Sequence, residues 1–95
     1  SLCMIISIQH KGLRLLWTKN DPSKLPPTHV PKIRSLLTYL NKATSIADMD
    51  LPGANLHPLK GGLKGFWSIS VSANYRLIFE FKDGDAHLVD YLDYH

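Results

Sequence analysis

"FWSISVSANYRLIFEFKDGDAHLVDY", Phe66 to Tyr91, is the stretch that decides the fold. Its residues alternate in character. Trp67, Ile69 and Val71 share one side, and Ser68, Ser70 and Ser72 the other. That period of two belongs to a half-buried strand. In "YRLIFEFK", Tyr75, Leu77, Phe79 and Phe81 share one face, with Arg76, Ile78 and Glu80 on the other. "KDGD" reads as a hairpin turn in which Gly84 takes φ > 0. "AHLVDY" is then a further strand, and "LDYH" is its end.

Upstream, the pattern is different. "MIISI" (Met4 to Ile8) is apolar and β-branched, which predicts a first strand. In "KGLRLLWTK", Leu13, Leu16 and Trp17 fall at helical spacing, with Lys11, Arg14 and Lys19 facing outward. "NDPSKLPP" breaks that period and reads as a loop. A second helix follows, N-capped by Thr28 with Pro31 in its first turn. Val30, Ile33, Leu37 and Leu40 form its stripe, with Leu36 on the flank, and Lys32, Arg34 and Lys42 make the outer face basic. "SIADMD" predicts one further helical turn, capped by Thr44 or Ser45, and "LPGAN" another turn. A strand, two helices and three or four strands on short turns predict an α+β domain, a helix pair packed on one face of a mainly antiparallel sheet.

Composition narrows the function classes. The 95 residues fit one domain, 44% hydrophobic and 20% charged, as a globular chain requires. A net charge of +3 suits a polyanion or an acidic protein as partner. No apolar run approaches the length of about 18 residues that a membrane span needs, and no signal-peptide pattern opens the chain. The lone cysteine, Cys3, excludes an internal disulfide framework and fits a reducing cytosol. Residues 1–3 read as an extension ahead of a single domain over 4–95, with Met4 as a candidate start.

The polar residues offer no metal spacing, since the five histidines are scattered and no CxxC or HExxH occurs. "KGGLKG" lacks the G-K-[ST] ending of a phosphate loop. What remains is His57 and Lys60 in "LHPLKG", Arg76 on a strand's polar face, and Asp93, Tyr94 and His95 in "DYH". An antiparallel sheet can set these stretches side by side on one face. They would then supply cations for a phosphate, an aromatic for a base and groups that titrate. That inventory suits RNA cleavage by the RNA's own 2′-hydroxyl, which needs a base, an acid and a cation. Each residue also has an ordinary reading. His57 is then a surface residue, Lys60 a solvated loop residue, and Arg76 half of an ion pair with Glu80 or Asp93. Tyr94 covers the core and the tail pins the last strand. His10, His29 and His87 are read as structural, and Trp17 and Trp67 as core.

Taken together, "LHPLKG", "GFWSISV", "NYRLIFEF", "DGDA" and the terminal "DYH" resemble the host-inhibition-of-growth (HigB) toxins of the RelE superfamily, over Met4 to His95. The resemblance implies a compact RelE-like α+β fold. It implies a ribosome-dependent, metal-independent endoribonuclease without cofactor that enters the A site of the 70S ribosome and cuts messenger RNA in the bacterial cytoplasm. It also implies a HigA-like helix-turn-helix antitoxin as partner, operator DNA being bound only through the antitoxin complex. Residue by residue, it assigns catalysis to His57, Lys60, Arg76, Asp93, Tyr94 and His95. RNA contacts fall to Lys60, Lys64, Arg76 and Tyr94. Relatives usually carry a further arginine on the strand matching "SISVS", where Ser70 and Ser72 stand and supply no cation. Lys60, Lys64 or Arg76 would have to compensate, or the toxin is weakened and acts mainly in autorepression with its antitoxin. ParE-type toxins, which bind DNA gyrase, resemble the same fold and give an alternative; "DYH" and "LHPLKG" favour the nuclease.

Overall fold

The structure is a computed structural model that describes residues 4–93. The expectations for residues 1–3, and for Tyr94 and His95, lie outside the described residues. Helix α1 spans Lys11–Lys19 and α2 Val30–Lys42. Strands β1 (His57–Pro58), β2 (Phe66–Ser70), β3 (Tyr75–Lys82) and β4 (Asp85–Asp93) form one antiparallel meander in that order. The α+β architecture read from the sequence is the one observed. No helix among the described residues is long and apolar enough to cross a membrane.

The periodicities explain the packing. Leu13 and Leu16 of α1 and Ile33, Leu36, Leu37 and Leu40 of α2 are buried against Ile69, Leu77, Phe79, Ala86 and Val89 of the sheet. Leu36, placed on the flank by the sequence pattern, belongs to this core. Trp17, Trp67, Val71, Phe81 and Tyr91 close its margin, half-buried. The β3–β4 turn has φ of 53° at Asp83 and 80° at Gly84. Positive φ at both central residues matches the right-handed twist of a tight hairpin, and Asp-Gly is suited to it.

Two local expectations change. Thr28 does not cap α2. Residues Pro27–His29 form a 3₁₀ turn that runs straight into the helix, so His29 is the flanking residue, and Pro31 stands in the first turn as expected. The second is "MIISI", which is not a regular strand. It lies parallel to β4 through two separate bridges, Ile5 to Ala86 and Ile8 to Val89. Between them Leu88 adopts a left-handed conformation, φ 56°, and its N–H donates to Ser7 Oγ at 2.8 Å instead of to a backbone carbonyl. A bulge of this kind interrupts the ladder. The expected turn after α2 is 3₁₀ (Ile46–Met49), and the Asp48 carboxylate accepts hydrogen bonds from Thr44 N–H, Thr44 Oγ1 and Ser45 N–H.

Candidate active site

Register sorts the candidate residues by face. His57 lies opposite Ser68, Ser68 opposite Ile78, and Ile78 opposite Asp90. One row further, Ser70 lies opposite Arg76 and Arg76 opposite Leu92. Directly opposed residues point to the same side, and Leu77 and Phe79 between them face the helices. His57, Ser68, Ser70 and Arg76 therefore share the sheet face turned away from the helices.

The polar side of β2 is not a solvated stripe. Ser68 is wholly buried. Arg76 reaches back across β2, its Nη1 donating to Ser70 Oγ at 3.2 Å and Ser68 Oγ at 3.4 Å. The cation is thereby drawn from β3 toward β1, to a serine that stands directly opposite His57. Glu80, one of the two acids weighed as an ion-pair partner for Arg76, pairs with Lys82 at 3.3 Å. His57 is half-buried, and its Nδ1 lies 3.0 Å from the carbonyl oxygen of Asn55. A carbonyl only accepts, so Nδ1 carries a proton and donates to it, and Nε2 is the ring nitrogen outside that bond. Lys60 is exposed just past β1, at the start of a 3₁₀ turn over Gly61–Leu63, and Lys64 is exposed at its end.

Asp93 is placed otherwise. It lies opposite Tyr75, on the helix side of the sheet. There it belongs with a ring cluster that the sequence pattern did not reveal. Tyr75 and Tyr91 stack at 5.2 Å. His29 meets Tyr75 edge-on at 4.8 Å, and its Nδ1 shares a 2.6 Å hydrogen bond with the Tyr91 hydroxyl. His10 meets Tyr91 edge-on at 5.4 Å, while its Nδ1 accepts from Gly12 N–H and Leu13 N–H and so caps α1. Burial, with the neighbouring Tyr75 and the Asp93 carboxylate, pushes the Tyr91 hydroxyl up to about 12. The sequence pattern gave these histidines no companions, and the structure shows them packed against two tyrosines. The one available signal was that Tyr75 and Tyr91 share the apolar face of adjacent strands. His87 stands opposite Glu80 on the outer face. Tyr94 and His95 lie outside the described residues, and among those described no group of three His, Cys, Asp or Glu could hold a metal ion.

The comparisons bear on the family of the chain. The profile of RelE-like toxins of the type II toxin–antitoxin system HigB matches residues 6–95. The chain is 45% identical over 92 residues to a Proteus vulgaris protein named Endoribonuclease HigB, covering 97% of this chain and all of that one. It is 34% identical over 94 residues to a HigB toxin of Vibrio cholerae, covering 97% and 98%. Among solved structures, the RelBE2 toxin–antitoxin complex of Mycobacterium tuberculosis aligns over the whole of both chains at TM-score 0.57 and 18% identity. A variant of YafQ from E. coli aligns over 92% of this chain and 91% of that one at TM-score 0.56 and 21% identity. At such identities the structural likeness speaks for the fold alone.

Proposed function

The chain belongs to the HigB-like family of RelE-like toxins of type II toxin–antitoxin systems, and from that premise we propose that it is an endoribonuclease cutting messenger RNA in the ribosomal A site, with the outer sheet face as its active site. The observation that carries this reading is Arg76, whose guanidinium is drawn over β2 toward the row of His57. In the reaction, the 2′-oxygen of one nucleotide forms a bond to the adjacent phosphorus and the bond to the 5′-oxygen breaks. A base takes the 2′ proton, an acid protonates the leaving 5′-oxygen, and charge builds on the phosphate oxygens. Arg76 stabilises that charge, helped by Lys60 and Lys64 along the RNA backbone. His57 is the proton-transfer group on this face, and His95 supplies the second such group. Tyr94 stacks on a base, and Asp93 orients the end of β4.

The ribosome supplies what a small site lacks. In-line attack needs the 2′-oxygen, phosphorus and leaving oxygen aligned, and prepaid orientation is worth about 7 kcal/mol or more in the best cases. Naked RNA is therefore a poor substrate. A HigA-like helix-turn-helix antitoxin holds the toxin inactive, and operator DNA is reached only through that complex, in the bacterial cytoplasm. The test is to map transcript 5′ ends after induction of the wild type and of Arg76→Ala. Codon-positioned cuts that vanish in the variant are expected. Growth arrest without such cuts points to a gyrase-type target and overturns the nuclease reading.

A further inference from the structure

Ser70 has surroundings that give it a definite task. Its Oγ lies 3.2 Å from Arg76 Nη1 and 3.4 Å from Asn55 Nδ2. Both nitrogens are donors, and a serine oxygen has two acceptor sites, so one hydroxyl receives both. The Ser70 backbone N–H is tied to the Ala54 carbonyl at 2.7 Å, which fixes the segment before β1 against β2. Asn55 itself has φ 50°, a left-handed conformation that asparagine tolerates better than most residues. That conformation accompanies two contacts in opposite directions: its amide donates to Ser70 and its carbonyl accepts from His57 Nδ1. A continuous chain results, from His57 through Asn55 and Ser70 to Arg76.

We propose that Ser70 and Asn55 are positioning residues that hold the Arg76 guanidinium and the His57 ring in one fixed relation. The hydrogen bonds from Arg76 Nη1 to Ser70 and Ser68 immobilise the cation on this face. Arg76 carries many rotatable bonds, and a guanidinium confined before the phosphate arrives loses less entropy on binding it. The same chain keeps a proton on His57 Nδ1 and so fixes the orientation of the ring, with Nε2 outside that hydrogen bond. The proposal rests on the nuclease reading of the outer face.

The test uses the purified toxin with 70S ribosomes programmed with a defined message, in single turnover. Ser70→Ala and Asn55→Gly are each expected to cut about tenfold more slowly, and the double variant no more slowly than either, because neighbours in one network are not additive. Glycine keeps the left-handed backbone and the carbonyl while removing the amide. Ser70→Thr keeps the hydroxyl and should restore cutting to within about twofold of wild type. A second readout needs no ribosome. The ring ¹⁵N shifts of His57 in the free protein report its tautomer, and Ser70→Ala should mix Nε2–H into the Nδ1–H form. A merely structural serine would lower the melting temperature while sparing the rate per folded molecule and the ring shifts; that outcome overturns the proposal. His57→Ala and Arg76→Ala separate it from the reading beneath it. If these two lose cleavage while Ser70→Ala and Asn55→Gly retain it, the bridge alone falls. If all four cut at wild-type rate, the site falls and the bridge with it.

Discussion

On the helix side of the sheet, Ile69, Leu77, Phe79 and Val89 lie sealed beneath α1 and α2. On the outer side the same strands carry Ser68, Ser70 and Arg76, joined by hydrogen bonds of 3.2 and 3.4 Å. The two faces alternate along one backbone and yet are held by different physics. Apolar burial is non-directional and scales with area, so the inner face requires volume and shape. The outer face requires partners: each donor must meet one acceptor, and a one-atom change can leave a group unmet. Stability should therefore be concentrated on one face and activity on the other.

The sharpest attempt to break that division is Phe79→Ala. Phe79 is wholly buried at the centre of the inner face, and such truncations cost about 3–5 kcal/mol. A small domain has roughly 5–15 kcal/mol in total, so denaturant unfolding should show a substantial share of the stability gone. A loss below about 1 kcal/mol would mean that the two helices do not seal this face. Next comes Arg76→Ala on the outer face. Removing a donor aimed at developing charge lowers the rate about 10²–10³-fold, while the melting temperature should hardly move. A variant that unfolds instead would make Arg76 part of the scaffold and erase the contrast.

Tyr91→Phe sharpens the comparison, because it removes a polar contact from the helix side. Losing the hydroxyl shared with His29 should cost about 1 kcal/mol, read by urea unfolding at neutral pH. The Tyr91 pKa is raised from 10.0 to about 12 in the folded protein. The folded state thus keeps a proton that the unfolded state gives up. The resulting stability is whole below the unfolded value and is lost as pH rises through the folded one. The wild type should lose stability across that alkaline window, and Tyr91→Phe should lack that part of the slope. The smallest effect belongs to Asp48, remote from both faces. Hydrogen bonds from the Thr44 N–H and hydroxyl and from the Ser45 N–H hold its carboxyl below the ordinary aspartate value of 3.8. Its contribution is present above the unfolded value and lost as pH falls through the folded one. Asp48→Asn should lower stability slightly at neutral pH and little in acid, which flattens the acid limb.

The inner face was legible in the sequence because burial leaves a period. Leu77, Phe79 and Phe81 recur every second residue, and Ile33, Leu37 and Leu40 at helical spacing. The outer face was legible only as an inventory. Nothing in "SISVS" says that Ser68 is wholly buried or that Ser70 is a seat for Arg76, because those facts depend on strand register and side-chain reach. Asn55 escaped notice for the same reason, being an unremarkable residue in a turn whose role is set by residues fifteen and twenty-one positions away. The ring cluster was hidden further, since His29 and Tyr91 are sixty-two positions apart. The N-terminal strand was over-read. β-branched residues signal extended chain, and they do not disclose a bulge at Leu88 on the partner strand.

The parallel seating of residues 4–9 on β4 sets an order of events during synthesis. Met4 N–H meets Asp85, and Leu88 N–H meets Ser7, each across eighty-one positions of chain. A chain is made from its N-terminus, so the segment 4–9 waits, unpaired, until β4 has been translated. Contacts so distant in sequence are slow to close, because the entropy of the intervening loop is lost before they form. Until then β4 cannot be locked between β3 and the N-terminal segment, and the sheet that carries Arg76 lacks its final support. The sheet that carries Arg76 is therefore completed only by contacts between the two most distant described segments of the chain, and its assembly waits on the synthesis of β4.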